Sequence, residues 1–255
     1  MIANYHTHTP RCTHAVGSEE EYVIAGIEAG LKILGFADHA PYPFAGGFFS
    51  HIRMRPDEFG EYVENVLAMR RKYGDQIQIP LGVEIEYFPG FWNEQLSMLR
   101  DGGVEYLLLG QHWADFEEGG HYSGRPTDRE DLLAAYCRSV RQAMQTGVIT
   151  YIAHPDLFHF KGDEEVYRQH MQALCRDAKS CGIPLEINLL GIRSGRHYPA
   201  MRFWEIAAEE GCKVILGCDA HDPAALQDTA PEVTALELVR DLGLELLERV
   251  PLQSF

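Results

Sequence analysis

The chain has 255 residues, of which 45% are hydrophobic and 24% charged, and its formal net charge is −16 at pH 7. The length allows one large α/β barrel or two smaller domains, and the composition is that of an ordinary globular protein. The negative charge argues against general binding of nucleic acid, which needs a basic surface, and no apolar run approaches the roughly 20 residues needed to cross a bilayer.

Short β-type runs alternate with longer amphipathic runs along the whole chain. Strands are predicted at 2–6, 32–38, 77–86, 104–111, 148–153, 183–188 and 213–218. Helices are predicted at 18–30, 56–73, 92–101, 128–146, 163–181, 199–211 and 223–241. Two helix starts carry capping signals: Ser18, and Thr127 with Glu130 three residues later.

Seven strand–helix repeats predict a mostly parallel sheet. The apolar runs YLLLG (106–110) and VILGC (214–218) favour strands that are covered on both faces. A closed or nearly closed α/β barrel forming a single domain (1–255) is the preferred fold, and an open doubly wound sheet is the alternative. Neither a G-x-G-x-x-G nor a P-loop motif follows a strand, which disfavours a nucleotide-binding fold.

The six cysteines are spread along the chain, and no two of them form a C-x-x-C pair. Isolated cysteines in apolar or helical contexts are typical of reduced, buried thiols. The first residues lack a basic region followed by an apolar stretch, so no signal peptide is predicted. We therefore expect a cytoplasmic protein that binds neither membranes nor nucleic acid.

Side chains of the types that bind metals lie at or just after nearly every predicted strand. In chain order they are His6, His8, His14, His39, Glu84, His112, His154, Asp219 and His221. Because the C-terminal ends of parallel barrel strands meet at one face, these residues are expected to converge there. Imidazole and carboxylate together suit Zn²⁺, Mn²⁺ or Fe²⁺. Nine ligands exceed the needs of one ion, so two or three ions that share Glu84 are predicted.

Each of these histidines taken alone would more often be a turn or core residue, and H-x-H by itself is a weak signal. The joint pattern is what favours a metal site. The stretch NYHTHTPRCTHA (4–15) also contains Cys12, a weaker candidate for a tenth ligand, because a cysteine in an apolar turn is usually just buried.

The ordered motifs resemble those of the PHP (polymerase and histidinol phosphatase) superfamily, and in particular of its histidinol-phosphatase branch. They are H-x-H, FADHAPYP, GVEIEYFPG, LLGQHW, IAHPDLF, LEINLLGIR and GCDAH, and they extend from residue 4 to about residue 222. The resemblance implies a distorted (β/α)7 TIM-like barrel, the PHP fold, with a trinuclear metal centre. The implied ligand sets are His6, His8, Glu84 and Asp219 for one ion, His14, His39 and His221 for a second, and Glu84, His112 and His154 for a third.

The resemblance also implies a reaction, the hydrolysis of L-histidinol phosphate to L-histidinol and phosphate in histidine biosynthesis. A hydroxide bridging two of three divalent ions would attack phosphorus in line, because coordination lowers the pKa of water from about 16 towards 7. The leaving alkoxide needs a proton, and Asp219, His221 and Asp38 are candidate donors.

Fixed cations are expected to hold the remaining phosphate oxygens. Arg193 matches a family arginine in a similar motif, and Lys161 and Arg53 are further candidates; the alternative for each is a solvated loop cation. Glu86 is predicted to receive the substrate's ammonium group. The aromatic loop at 40–54 is interpreted either as a lid over an imidazole ring or as ordinary packing.

Two other functions compete with a histidinol-phosphate phosphatase. One is a PHP phosphoesterase that acts on nucleotides or other small phosphate esters. The other is a non-catalytic metal-binding or regulatory module, which the complete ligand set disfavours. The sequence makes no prediction about the oligomeric state.

Overall fold

The strands of the protein pair only in parallel. The computed structural model describes residues 1–44, 48–253 and 255. Its strands are β1 (Ala3–Asn4), β2 (Ile33–Leu34), β3 (Phe36–His39), β4 (Leu81–Ile85), β5 (Tyr106–Leu109), β6 (Tyr151–Ile152), β7 (Leu185–Asn188), β8 (Lys213–Gly217) and β9 (Glu245–Leu246). β1 pairs with β2, and β3 to β9 form one sheet in sequence order. All of these pairings are parallel.

The chain just beyond β1 also approaches the chain just beyond β8. Thr7 and Ala220 form a parallel bridge, in which the amide of His8 donates to the carbonyl of Ala220 at 2.9 Å. The first strand segment therefore adjoins both ends of the arc of strands, although a bridge rather than a continuous ladder joins β1 to β8. This arrangement confirms the predicted distorted TIM-like barrel.

Helices follow most of the strands and pack outside them. They are α1 (Glu19–Glu28), α2 (Phe59–Tyr73), α3 (Trp92–Asp101), α4 (Glu130–Gln145), α5 (Glu164–Cys181), α6 (Leu189–Arg193), α7 (Met201–Glu210) and α8 (Ala230–Leu242). The capping box at Ser18 forms, since Ser18 Oγ accepts from the amide of Glu21 and the Glu21 carboxylate accepts from the amide of Ser18. The predicted box at Thr127 does not form, because α4 begins two residues later, after Arg129.

Four elements differ from the prediction. The second predicted strand is divided at Gly35, where the backbone passes so close to Tyr106 that a Cβ would lie 2.3 Å from its hydroxyl. The short helix α6 was not predicted, and it begins where the side chain of Asn188 accepts from the amide of Gly191. The ninth strand, β9, was also not predicted, and α8 begins at residue 230 rather than 223.

Three tyrosines pack together inside the barrel, towards the N-terminal ends of its strands. Tyr5 packs edge-on against Tyr106 and Tyr151, with ring centroids 5.9 and 6.5 Å away. Because the strand period is two, Tyr106 and Gly110 point to the same face, as do Gly82 and Glu84 on the neighbouring strand. The inward positions therefore change from aromatic to polar towards the C-terminal ends of the strands, where the site lies.

Candidate metal centre

All nine predicted ligand side chains converge at the C-terminal ends of the strands, around the carboxylate of Glu84. Oε2 of Glu84 lies 2.9 Å from Nδ1 of His39, and Oε1 lies 2.8 Å from Nε2 of His154. Strand register accounts for part of this, because His39 and Glu84 are direct partners across β3 and β4.

A first cluster contains His6, His8 and Asp219, all of them buried. Nε2 of His8 lies 3.1 Å from Oδ1 of Asp219, and Nε2 of His6 lies 3.5 Å from the same oxygen. Nε2 of His6 is also 3.5 Å from Oε2 of Glu84. One ion could therefore be shared by two imidazoles and one or two carboxylates.

A second cluster contains His14, His39 and His221, whose ligand atoms all lie within 4.8 Å of one another. Nε2 of His14 is 3.0 Å from Nε2 of His221. Nδ1 of His221 faces Asp219 at 3.4 Å, so its other nitrogen and that of His14 form a nitrogen-rich position beside the first cluster.

A third cluster forms on the other side of Glu84. In addition to His154, the carboxylate faces His112, whose Nε2 lies 3.6 Å from Oε1. His6, Glu84 and His154 also present ligand atoms within 4.8 Å of one another. Glu84 therefore lies between the clusters, as a bridging ligand would.

Several of these atoms have lone pairs that are not used within the protein. Nε2 of His6, Nε2 of His8 and Oε2 of Glu84 are buried and have no hydrogen-bond partner in the part of the chain that the structure describes. Buried polar atoms without partners are costly, and close pairs of acceptors repel unless a cation lies between them. The residues present therefore fit divalent ions bound by nitrogen and oxygen.

The pKa values of the ligand histidines are shifted in opposite directions. Burial lowers the pKa of His39 well below its ordinary value, and burial together with the neighbouring His8 lowers the pKa of His221 to about 3, which keeps both rings neutral. Burial acts in the same direction on His8, but Asp219 and Asp38 outweigh it and raise the pKa of His8 to about 9.

Further carboxylates fix the orientation of the first two ligands. Nδ1 of His6 lies 2.8 Å from Oε1 of Glu186, and Nδ1 of His8 lies 3.3 Å from Oδ1 of Asp38. Such partners hold a ring so that its other nitrogen faces the metal. Asn188 donates to both Glu186 and Asp219 at 3.0 Å. The sequence analysis did not single out Glu186 or Asn188, although polar residues alternate with apolar ones in LEIN and therefore point into the barrel.

The backbone is strained at two of the ligands. Asp219 and His154 have φ values of 49° and 31°, in the left-handed region that non-glycine residues seldom adopt. Such conformations persist where the surrounding structure imposes them, and they are common at functional sites.

A cavity of about 330 Å³ opens above the clusters. Six of its lining residues, in addition to metal-ligand candidates, are Ile52, Tyr122, Leu157, Leu190, Arg196 and Tyr198. Arg196 donates from Nη1 to the hydroxyl of Tyr198 at 2.7 Å, and among the described residues it forms no ion pair with a carboxylate. The cavity therefore combines candidate cation positions with one arginine that is free to bind an anion.

Comparisons with known proteins agree with this geometry. The family model of the PHP domain matches residues 4–189. A protein of Deinococcus radiodurans named "Probable histidinol-phosphatase" is 31% identical, over 95% of this chain and 94% of its own. A protein of the same name from Schizosaccharomyces pombe is 26% identical, over 88% of this chain and 81% of its own.

The chain belongs to the PHP domain family. The fold of this PHP protein is also that of a solved structure, the histidinol phosphate phosphatase of Lactococcus lactis in complex with zinc, L-histidinol and phosphate. The two chains superimpose with a TM-score of 0.74 and 19% identity, over 99% of this chain and 96% of the other.

The cations predicted to bind phosphate do not lie in the cavity of the PHP protein. Arg193 points away from it, with Nε donating to Asp228 at 3.1 Å and Nη2 to the carbonyl of Ala225 at 3.1 Å. Lys161 lines a separate pocket beside His159 and His197. Arg196 lies three residues after Arg193 and lines the cavity, as was predicted for Arg193.

Two further predicted contacts are satisfied within the protein itself. Glu86 and Arg53 are buried and form an ion pair at 2.5 Å, so Glu86 does not face the cavity as a free receptor for an ammonium group. In the aromatic loop at 40–54, residues 45–47 lie outside the described residues, and the cavity is lined by Ile52.

The three predicted proton donors have different surroundings. Asp219 and His221 line the cavity. Asp38 is fully buried and accepts from the amides of Thr9 and His39 at 3.2 and 2.8 Å, in addition to facing His8. Its carboxylate therefore orients His8 and is not placed to reach a leaving group.

Cys12 lies close to His8 and His221 and is fully buried. Burial and the neighbouring Asp38 raise the pKa of its thiol, which keeps the sulfur protonated. This setting favours a packed thiol over a tenth ligand.

Membrane insertion receives no support from the helices. No helix of the described residues is both long enough and apolar enough to span a bilayer.

The position of Glu84 depends on a glycine on the neighbouring strand. A Cβ at Gly110 would lie 1.8 Å from Oε1 of Glu84, so Gly110→Ala is expected to displace the bridging carboxylate. We expect a loss of bound metal and at least a 100-fold lower kcat/KM, since ligands of a catalytic metal act within a narrow geometry. Gly60→Ala on α2, where a Cβ meets open space, is the matched control and should leave both unchanged. Normal metal content in Gly110→Ala would contradict the bridging position of Glu84.

Proposed function

We propose that this PHP protein is a metal-dependent phosphomonoesterase that hydrolyses L-histidinol phosphate to L-histidinol and phosphate. The observation that carries the proposal is the convergence of nine ligand-type side chains, seven of which line one cavity, with lone pairs of His6, His8 and Glu84 that have no partner among the described residues. We further propose that residues 1–255 form one barrel domain and that the protein acts in the cytoplasm, in keeping with its free cysteines.

Three divalent ions are proposed, one for each cluster. His6, His8, Glu84 and Asp219 would hold the first, His14, His39 and His221 the second, and Glu84, His112 and His154 the third. Zinc, manganese and iron all suit these donors. When bound, such ions supply an activated water at neutral pH and neutralise phosphate oxygens.

The chain's own residues account for binding of the phosphate group. Arg196 lines the cavity without a carboxylate partner, and its guanidinium can donate two parallel hydrogen bonds to a phosphate. Its bond to Tyr198 fixes the direction of the guanidinium, and the tyrosine hydroxyl retains its own proton for donation. The phosphate would thus be held between the clusters on one side and Arg196 on the other.

The leaving alkoxide would take its proton from a group in the cavity wall. Asp219 and His221 both meet this requirement, and the buried position of Asp38 removes it from consideration. The apolar side chains of Ile52, Leu157 and Leu190 form the remaining wall, against which the carbon skeleton of the alcohol can pack.

The known relatives support this choice of substrate. Both relatives reported above carry the name "Probable histidinol-phosphatase", and each matches this chain over most of its own length. The Lactococcus structure contains L-histidinol and phosphate. Other small phosphate esters are the alternative, because the charged part of the cavity recognises only the phosphate.

The substrate is tested by comparing kcat/KM of the metal-loaded protein for histidinol phosphate, a nucleoside monophosphate and p-nitrophenyl phosphate. The proposal predicts that histidinol phosphate is preferred by at least about 100-fold, because the whole cavity contributes to its binding. Equal values would favour a general phosphoesterase, and no turnover of any ester would favour a non-catalytic metal-binding module.

A further inference from the structure

Arg53 is one of the few fully buried charged groups that the proposed reaction does not use. It lies in the segment between β3 and α2 and is 2% exposed. Its Nε donates to Glu117 at 2.8 Å, and its Nη2 lies 2.6 Å from Glu117 and 2.5 Å from Glu86. One guanidinium therefore balances two carboxylates that are themselves buried.

One of those carboxylates faces a proposed metal ligand. Oε2 of Glu86 accepts from the backbone amides of His112 and Trp113 at 3.1 and 3.2 Å, while Oε1 lies 3.5 Å from Nδ1 of His112. Among the described residues, Nδ1 of His112 is buried and has no hydrogen-bond partner. Glu86 thus lies behind His112, at a longer distance than Glu186 behind His6 or Asp38 behind His8.

The guanidinium also connects three loops at the rim of the barrel. Its Nη1 donates to the carbonyl of Ala40 at 3.4 Å, and its carbon lies 5.1 Å from the ring centroid of Tyr42. Tyr42 in turn donates to the backbone carbonyl of Glu86 at 2.5 Å. These contacts join the segments that follow β3, β4 and β5, close to His39, Glu84 and His112.

We propose that Arg53 is a positioning residue for the third metal position. It holds Glu86 against His112, and it connects the three segments that follow β3, β4 and β5. The inference rests on the proposed metal centre. Without Arg53, Glu86 and Glu117 would be two buried carboxylates without a counter-ion, which the interior does not tolerate. Glu86 would then turn away, and His112 would lose its orientation.

The test measures zinc binding, without substrate, in wild type and Arg53→Met. Competition with a chelator resolves the individual affinities. Partners of metal ligands typically contribute about 10- to 100-fold to affinity, so one of the three zinc ions should bind more weakly by that factor while the affinities of the other two are unchanged. Arg53→Lys keeps the positive charge but cannot form the paired hydrogen bonds of a guanidinium. We therefore expect a smaller decrease in affinity for the same ion. Retention of two ions also shows that the variant is folded.

Two further variants separate positioning from a general loss of packing. Arg53→Met combined with Glu117→Gln leaves a single buried carboxylate and should recover part of the lost affinity. Arg55→Met removes an exposed arginine of the same segment, paired with Asp57, and should change nothing. Unchanged zinc binding in both Arg53 variants, or an equal loss of all three ions, would overturn the inference. Because no substrate is present, these results are independent of whether histidinol phosphate is hydrolysed.

Discussion

Glu84→Gln is expected to have the largest effect of any single substitution in this protein. The carboxylate lies between three clusters, with its two oxygens 2.8 Å from His154 and 2.9 Å from His39. An amide has the same shape but only one oxygen and no charge, so it cannot serve two cations. We expect at least two ions to be lost and kcat/KM for histidinol phosphate to fall by more than about 10³-fold.

The measurement combines elemental analysis of the purified variant with steady-state kinetics. Glu94→Gln, an exposed carboxylate on α3, is the matched control and should behave like wild type. Activity of Glu84→Gln within about tenfold of wild type, at full metal content, would contradict the bridging role.

The second large effect is expected at Arg196. It lines the cavity and has no carboxylate partner among the described residues, so Arg196→Met removes the fixed cation facing the phosphate. Removal of one donor to developing charge typically costs about 10²- to 10³-fold, and we expect a decrease of this size in kcat/KM, with unchanged metal content. Arg196→Lys should recover only part of it, because an ammonium group cannot form the paired hydrogen bonds of a guanidinium.

Arg193→Met is the sharp control for this prediction. The two arginines are three residues apart, but Arg193 ends α6 and is bonded to Asp228 and Ala225 outside the cavity. Its loss should leave kcat/KM within about threefold of wild type. A larger kinetic loss in Arg193→Met than in Arg196→Met would favour the assignment made from the sequence.

This pair of arginines illustrates the limits of the sequence. The ligand candidates could be predicted because strand ends in a parallel barrel meet at one face, so position along a strand already determines position in space. The direction of an arginine in a loop follows from partners that are distant in sequence, and no periodicity indicates them. Asp228, which binds Arg193, is 35 residues away.

Glu86 and Arg53 were misplaced for the same reason. Glu86 lies two residues after Glu84, but its partner Arg53 is 33 residues away in an irregular segment. The fold was more predictable, since most helices and strands carry local signals. The exceptions are the strand divided at Gly35 and the short elements α6 and β9. At Gly35 the division depends on the close approach of Tyr106, which is 71 residues away in the sequence.

The central claim is that three neighbouring histidines of the first loop serve different ions. His6 and His8 lie with Asp219, whereas His14 lies with His39 and His221. A crystal of the zinc-loaded protein, with anomalous diffraction recorded at the zinc absorption edge, tests this directly. We predict three anomalous peaks, one between His6, His8 and Asp219, one between His14, His39 and His221, and one between Glu84, His112 and His154. A single peak bound jointly by His6, His8 and His14 would contradict the account.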